Sequence, residues 1–102
     1  MSQPTLKVTH EDYGSAGRYV ATLPGQDGEA ELTWRAGGPG IIVAEHTYAP
    51  PAMRGTGAAN ALAQRLIDDA RRQGLLIVPT CSFIRAQFER HPEWADLRAG
   101  EV

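Results

Sequence analysis

The sequence predicts a mixed α/β (α+β) fold in which an antiparallel β-meander is followed by one βαβ unit and a C-terminal helix. Three observations predict it. Apolar residues alternate at period two through the first half of the 102-residue chain. A glycine-rich turn at residues 54–59 then switches the pattern to a helical period, and a short apolar run at residues 75–78 follows that helix directly.

Each element follows from its local residues. Leu6 with Val8, then Tyr19, Ala21 and Leu23, then Ala30, Leu32 and Trp34 alternate with polar neighbours, as half-buried strands do. Pro24, Gly25 and Gly28 between the second and third runs favour a tight reversal, so these two strands are expected to form an antiparallel hairpin. Gly37-Gly38-Pro39-Gly40 marks the next turn. The run Ile41-Ile42-Val43-Ala44-Glu45-His46-Thr47-Tyr48 is rich in branched side chains and is expected to be a central strand, stopped by Pro50-Pro51.

From about Gly57 to Gln73, Leu62, Leu66, Ile67 and Ala70 share one helical face, while Gln64, Arg65, Asp68, Asp69, Arg71 and Arg72 are assigned to the polar face. Gly74 provides the stop. The wholly apolar run Leu75-Leu76-Ile77-Val78 reads as a strand buried on both faces, limited by Pro79. Cys81-Ser82 opens a second helix, with Phe83 or Ile84 and Phe88 inward, closed by His91-Pro92. Residues 1–4 and the last few are expected to be loose ends.

Length and composition bound the function. A chain of this size, 42% apolar, makes one domain spanning residues 1–102 and needs no disulfide or metal to fold. One cysteine, no opening signal segment and no bilayer-length apolar run point to a soluble, cytoplasmic protein with no membrane contact. A net charge of −2 argues against nucleic acid as a partner. The charge is uneven, with three basic against six acidic residues in positions 1–50 and seven arginines against six acidic residues thereafter. That asymmetry suits an anionic cofactor and a cationic acceptor, and equally an ordinary solvated surface. His10, His46 and His91 have no metal-ligand spacing, so no metal is expected. Trp34 and Trp94 either line a pocket or seal the core.

The richest motif is Arg54-Gly55-Thr56-Gly57-Ala58-Ala59. Two glycines leave amides uncovered, the following helix adds its unpaired first-turn donors and positive end, and Arg54 supplies a cation, so an anion is expected here. A Walker loop needs Gly-Lys-Ser/Thr where this chain has Gly57-Ala58-Ala59, and a dinucleotide fingerprint needs a third glycine where it has Asn60.

What the residues resemble is the GNAT superfamily of acyl-CoA-dependent N-acyltransferases, whose signature Gln/Arg-x-x-Gly-x-Gly/Ala is met by Arg54, Gly57 and Ala59. The resemblance is nearest to the small, single-domain branch that includes the yeast-acetyltransferase-like bacterial proteins. Its blocks are Ala30-Glu31-Leu32-Thr33-Trp34, His46-Thr47-Tyr48 with Pro50, Pro79-Thr80-Cys81-Ser82-Phe83 and His91-Pro92-Glu93-Trp94.

The resemblance implies a GNAT-like fold and acetyl-CoA as donor, held at Thr47, Tyr48, Arg54, Gly55, Thr56, Gly57, Ala58 and Ala59. It also implies that the pantetheine arm runs between the strands at 41–48 and 75–78, and that acetyl passes to a primary amine on an unidentified acceptor. A helix N-terminus contributes only about 0.3–1 kcal/mol per surface charge, so affinity must also come from amide hydrogen bonds and contacts along the arm.

Two residues are candidates for the chemistry. Cys81 occupies the position of the branch's characteristic cysteine, at the mouth of a helix whose positive end favours a thiolate. It is open whether it acts as acyl acceptor, as partner of the CoA thiol or as part of the acceptor pocket, or simply packs. His46 can take a proton near neutral pH, and as a strand residue it can equally be packed and hydrogen-bonded. Alternation puts it on the face of Ala44 and Tyr48, opposite Glu45. Many larger GNAT enzymes use a tyrosine as general acid on the helix after the fifth strand, where this chain has Phe88. That departure supports an alternative, a CoA-binding module without turnover.

Overall fold

The computed structural model describes residues 6–99, so the expected loose ends fall outside the described residues. Five strands form one sheet in the order of the chain: β1 (Lys7–Asp12), β2 (Ala16–Thr22), β3 (Ala30–Ala36), β4 (Ile41–Tyr48) and β5 (Leu76–Pro79). The first four are antiparallel neighbours, and β5 joins β4 in parallel after α1 (Ala58–Gln73). α2 (Ser82–Arg90) follows β5. The predicted meander and βαβ unit are therefore both present.

Short 3-10 turns at Pro51–Met53 and Pro92–Leu97 add two elements that hydrophobic period does not reveal. Proline sits in the first turn of each, where its missing N–H costs nothing, and each buries one face: Met53 in the first, Trp94 and Leu97 in the second.

The core lies between the sheet and α1. Tyr19, Ala21, Leu32, Trp34, Ile42, Ala44 and Ile77 project from the strands onto Leu62, Ala63, Leu66, Ile67 and Ala70 of α1. Small residues alternate with large ones, which lets the helix approach the sheet closely. Ile84 and Phe88 of α2 join the same cluster, and Phe88 meets Trp94 edge to face with ring centroids 6.1 Å apart. Both tryptophans thus seal the core, as one of their two expected roles.

Three expectations need correction. β5 is the edge strand, and although Ile77 is buried, Leu76 is 40% exposed and Val78 half-buried. Its apolar run reflects shortness and contact with neighbouring turns, since Ala99 N donates to Ile77 O at 2.8 Å and covers part of the outer edge. Asp69 is 3% exposed and belongs to the buried face of α1. It stands seven residues after Leu62 and three after Leu66, on the stripe that faces the sheet.

The third correction concerns β4. Thr33 pairs with His46 but Trp34 pairs with Ala44, so Glu45 is an unpaired extra residue, a β-bulge. The bulge reverses the alternation beyond it. Thr47, opposite Leu32, takes the core-facing side, and His46, opposite Thr33, takes the other. Glu45 is on that other side too, its carboxylate 3.1 Å from Arg35 Nε. His46 therefore does not share a face with Ala44, and Glu45 and His46 are not opposed.

Candidate functional site

β4 and β5 pair only from Ile41 with Leu76 to Ala44 with Pro79. Past that point β4 continues to Tyr48 with β3 alone, and the parallel neighbours separate. A grip on one carbonyl fixes the divergence: Ala44 O accepts from Thr80 N at 3.1 Å, Cys81 N at 3.0 Å and Thr80 Oγ1 at 2.9 Å. Pro79 has no N–H to extend the ladder, so the chain leaves the sheet and enters α2.

Cys81 is the N-cap residue of α2 and 8% exposed. Its Sγ shares a hydrogen bond with Thr47 Oγ1 at 3.3 Å, across the gap between the separating strands. The bulge at Glu45 makes that contact possible, because it turns Thr47 rather than His46 toward the core side. Among the described residues, His46 makes no side-chain hydrogen bond, and it is exposed on the far face of the sheet.

Beyond β4, the loop into α1 takes a left-handed path. Gly55 and Gly57 have φ of 81° and 86°, a left-handed geometry that side chains resist. Gly57, as N-cap, offers no side chain to its own helix. Thr56 Oγ1 donates to Met53 O and accepts from Ala58 N at 3.3 Å, which ties the loop down. The amides of Gly57, Ala59 and Asn60 precede the first intrahelical donor, Ala61 N, and find no acceptor among the described residues. A cleft of about 460 Å³ opens over them, lined by Ala49, Met53, Arg54, Ala59 and Phe83 among others. Arg54 is exposed, with Nε donating to Ala49 O at 3.3 Å, so its guanidinium is held at the rim.

This combination is an interrupted sheet, a bulged strand and a glycine loop at the start of a 16-residue helix. Residues 18–97 match the family of GCN5-related N-acetyl-transferases. The chain belongs to that family. Among solved structures, the solution structure of a GCN5-like protein from Staphylococcus aureus superposes with a TM-score of 0.64 at 21% identity, covering 92% of this chain and 90% of that one. The likeness extends the shared GNAT-like fold over nearly the whole length of both. No curated protein matches the chain.

Within this GNAT fold the residues expected at the site divide into three groups. Arg54, Gly55, Thr56, Gly57, Ala58 and Ala59 form one continuous loop and helix start. Thr47 and Cys81 meet across the strand gap. Tyr48 and His46 stand apart: His46 by the register above, and Tyr48 as a 46% exposed residue paired with Glu31.

A second polar cluster escaped sequence reading. Asp69 Oδ2 accepts from the Tyr19 hydroxyl at 2.9 Å, Arg65 Nε lies 3.3 Å from the carboxylate, and Arg72 closes on Asp69 Oδ1. His10 stacks on Tyr19 with centroids 4.2 Å apart and accepts from Trp34 Nε1 at 3.0 Å. Burial pushes the Asp69 pKa up, but the Tyr19 hydroxyl and the two arginines outweigh it and hold the carboxyl below the usual range. Burial and the neighbouring Asp69 raise the Tyr19 pKa. The cluster joins α1 to β1 and β2 away from the strand gap. The one available signal was an aspartate on an apolar helical stripe.

Proposed function

We propose that this protein transfers an acetyl group from acetyl-CoA to a primary amine, with the reaction centred on the gap between β4 and β5. The observation that carries the reading is Thr47 and Cys81 facing each other where the strands part, on the segments that lead into the glycine loop and into α2. The fit to acetyl-CoA is chemical. Free amides at a helix start suit a pyrophosphate, Arg54 adds a cation at the rim, and β4 beyond Ala44 keeps an edge without a strand partner for an amide-bearing arm.

Acetyl-CoA supplies an acetyl group already activated as a thioester. The chain must then hold that group, remove a proton from the attacking amine and stabilise the sulfur that leaves. We assign the first task to the β4 edge and the loop at 54–59. Cys81 and Thr47 lie where the sulfur would be met, and the Cys81 thiol, hydrogen-bonded to Thr47, is our candidate for that contact. His46, exposed on the opposite sheet face, is suited to take a proton only from an amine arriving on that side.

Calorimetry with acetyl-CoA tests the binding step. One-to-one binding that weakens in Arg54→Ala is expected, and no heat and no thermal shift with either acetyl-CoA or CoA would end the proposal. Following CoA release with a panel of amines, in the native protein and in Cys81→Ala and His46→Ala, assigns the roles. A release rate unchanged in Cys81→Ala removes that residue from the mechanism.

A second reading, a CoA-binding module without turnover, rests on Phe88. That side chain is 5% exposed and packed against Trp94, so α2 offers no phenol to the gap. Binding of CoA without release in the presence of any amine would favour it.

A further inference from the structure

Outside the cofactor cleft, a cavity of about 380 Å³ opens on the far face of the sheet, the face that carries Glu45 and His46. Val43, Val78 and Pro79 form an apolar part of its lining, and Val43 is 5% exposed. Its charged lining comes from three separate elements: Arg35 on β3, Arg85 on α2, and Arg98 just after the second 3-10 turn. Arg35 is already paired with Glu45. Among the described residues, Arg85 and Arg98 have no carboxylate within ion-pair distance. Among the described residues, the lining thus carries two guanidinium groups without a carboxylate partner beside an apolar floor, that of Arg98 lying 5.9 Å from the centroid of the Phe88 ring.

The cavity adjoins the strand gap. Thr80 lines it, Phe83 lines the cofactor cleft, and Cys81 lies between these two residues in the turn from β5 into α2. A molecule in the cavity would thus approach the gap from the face opposite α1. Arginine is suited to planar oxyanions through paired N–H donors, and a cavity of this volume takes a molecule of amino-acid size.

We propose that this cavity binds the acceptor by an oxyanion, so that the amine acetylated is a small molecule bearing a carboxylate or phosphate a few bonds from its nitrogen. Arg85 and Arg98 hold the oxyanion, Val43 and Val78 contact the carbon chain, and the amine is left toward His46 and the gap. The word acceptor rests on the acetyl-transfer reading, while anion binding in the cavity does not. The acidic first half of the sequence suggested a cationic acceptor. In the fold Glu11, Glu29 and Glu31 are gathered on Arg18, at contacts of 3.0, 3.1 and 2.9 Å, and do not line this cavity.

Matched pairs of probes test this on the full chain: β-alanine against propylamine for the carboxylate, O-phosphoethanolamine against ethanolamine for the phosphate, and spermidine as a polycation. Binding is read by calorimetry and by amide shifts, with and without CoA. At least one oxyanion-bearing amine is expected to bind about tenfold or more tighter than its partner, with shifts at Val43 and Val78. The pair that shows the advantage identifies the oxyanion. In Arg85→Gln/Arg98→Gln that advantage should vanish, while affinity for CoA and the circular dichroism spectrum stay as in the native protein. Equal binding within both pairs, no binding of any probe, tighter binding of spermidine, or an advantage that survives the double substitution each overturns the proposal. Loss of CoA binding in the native protein would count against acetyl transfer alone, because the matched pairs are also read without CoA.

Discussion

The two halves of the sheet spend their polar residues in opposite ways. From β1 to β3 they are committed to one another: Arg18 is shared by three glutamates, and Asp69 is held by Tyr19, Arg65 and Arg72. Around β4, β5 and α2 the strands part after four paired positions, a bulge interrupts the ladder, and the loop amides and two arginines line clefts. The difference teaches that the antiparallel half ties its polar groups to one another, while the parallel junction sets them at the walls of two clefts. Substitutions in the first half should unfold the protein, and substitutions in the second should silence it while it stays folded.

The largest expected effect is in the shared core beneath the meander. Leu32 is fully buried, and Leu32→Ala should cost about 2–5 kcal/mol in urea unfolding. Next comes Asp69→Asn, at about 1–3 kcal/mol, because a buried carboxylate hydrogen-bonded to the Tyr19 phenol and to the part-exposed Arg65 and Arg72 is lost. Its pH signature is specific. The Asp69 pKa is lowered by folding, so its contribution is fully present above the usual aspartate pKa of about 3.9 and is lost as pH falls through the lower folded value. Unfolding midpoints measured from pH 7 downward should fall more steeply in the native protein than in Asp69→Asn.

Gly57→Ala reverses the pattern. Forcing a side chain to a φ of 86° should cost about 1–2 kcal/mol of stability, yet weaken CoA binding disproportionately by moving the amides of the loop. Calorimetry beside urea unfolding separates the two. The smallest effect is expected for Arg71→Ala, which removes an exposed pair with Asp96 at 3.0 Å and should change stability by no more than about 1 kcal/mol. A large loss there would mean that the turn at Pro92–Leu97, and not the meander, anchors α1.

Much of this was legible in the sequence. Period-two alternation marked β1, β2 and β3, a run of branched residues marked β4, and glycines at 57 and 74 bounded α1 at the observed N-cap and C-cap. The glycine loop at 54–59 and the helix it opens were legible because glycines ahead of an apolar helical stripe are a local pattern. Errors arose where a residue's fate depends on what lies beside it in space. The burial of Asp69 needed Tyr19 from β2, the exposure of Leu76 depended on β5 being last in the sheet, and the facing of His46 turned on one unpaired residue.

The sequence by itself determined the elements, their order, the glycine loop and the family resemblance, since each rests on residues close together in the chain. Only the tertiary structure decided which side chains share a site. A single bulge at Glu45 exchanges the two faces of a strand, because side chains alternate at period two. By that exchange Thr47, not His46, meets Cys81. The arginine-lined cavity is equally tertiary, because its charged lining comes from β3, α2 and the segment after it, and no local pattern relates residues 35, 85 and 98.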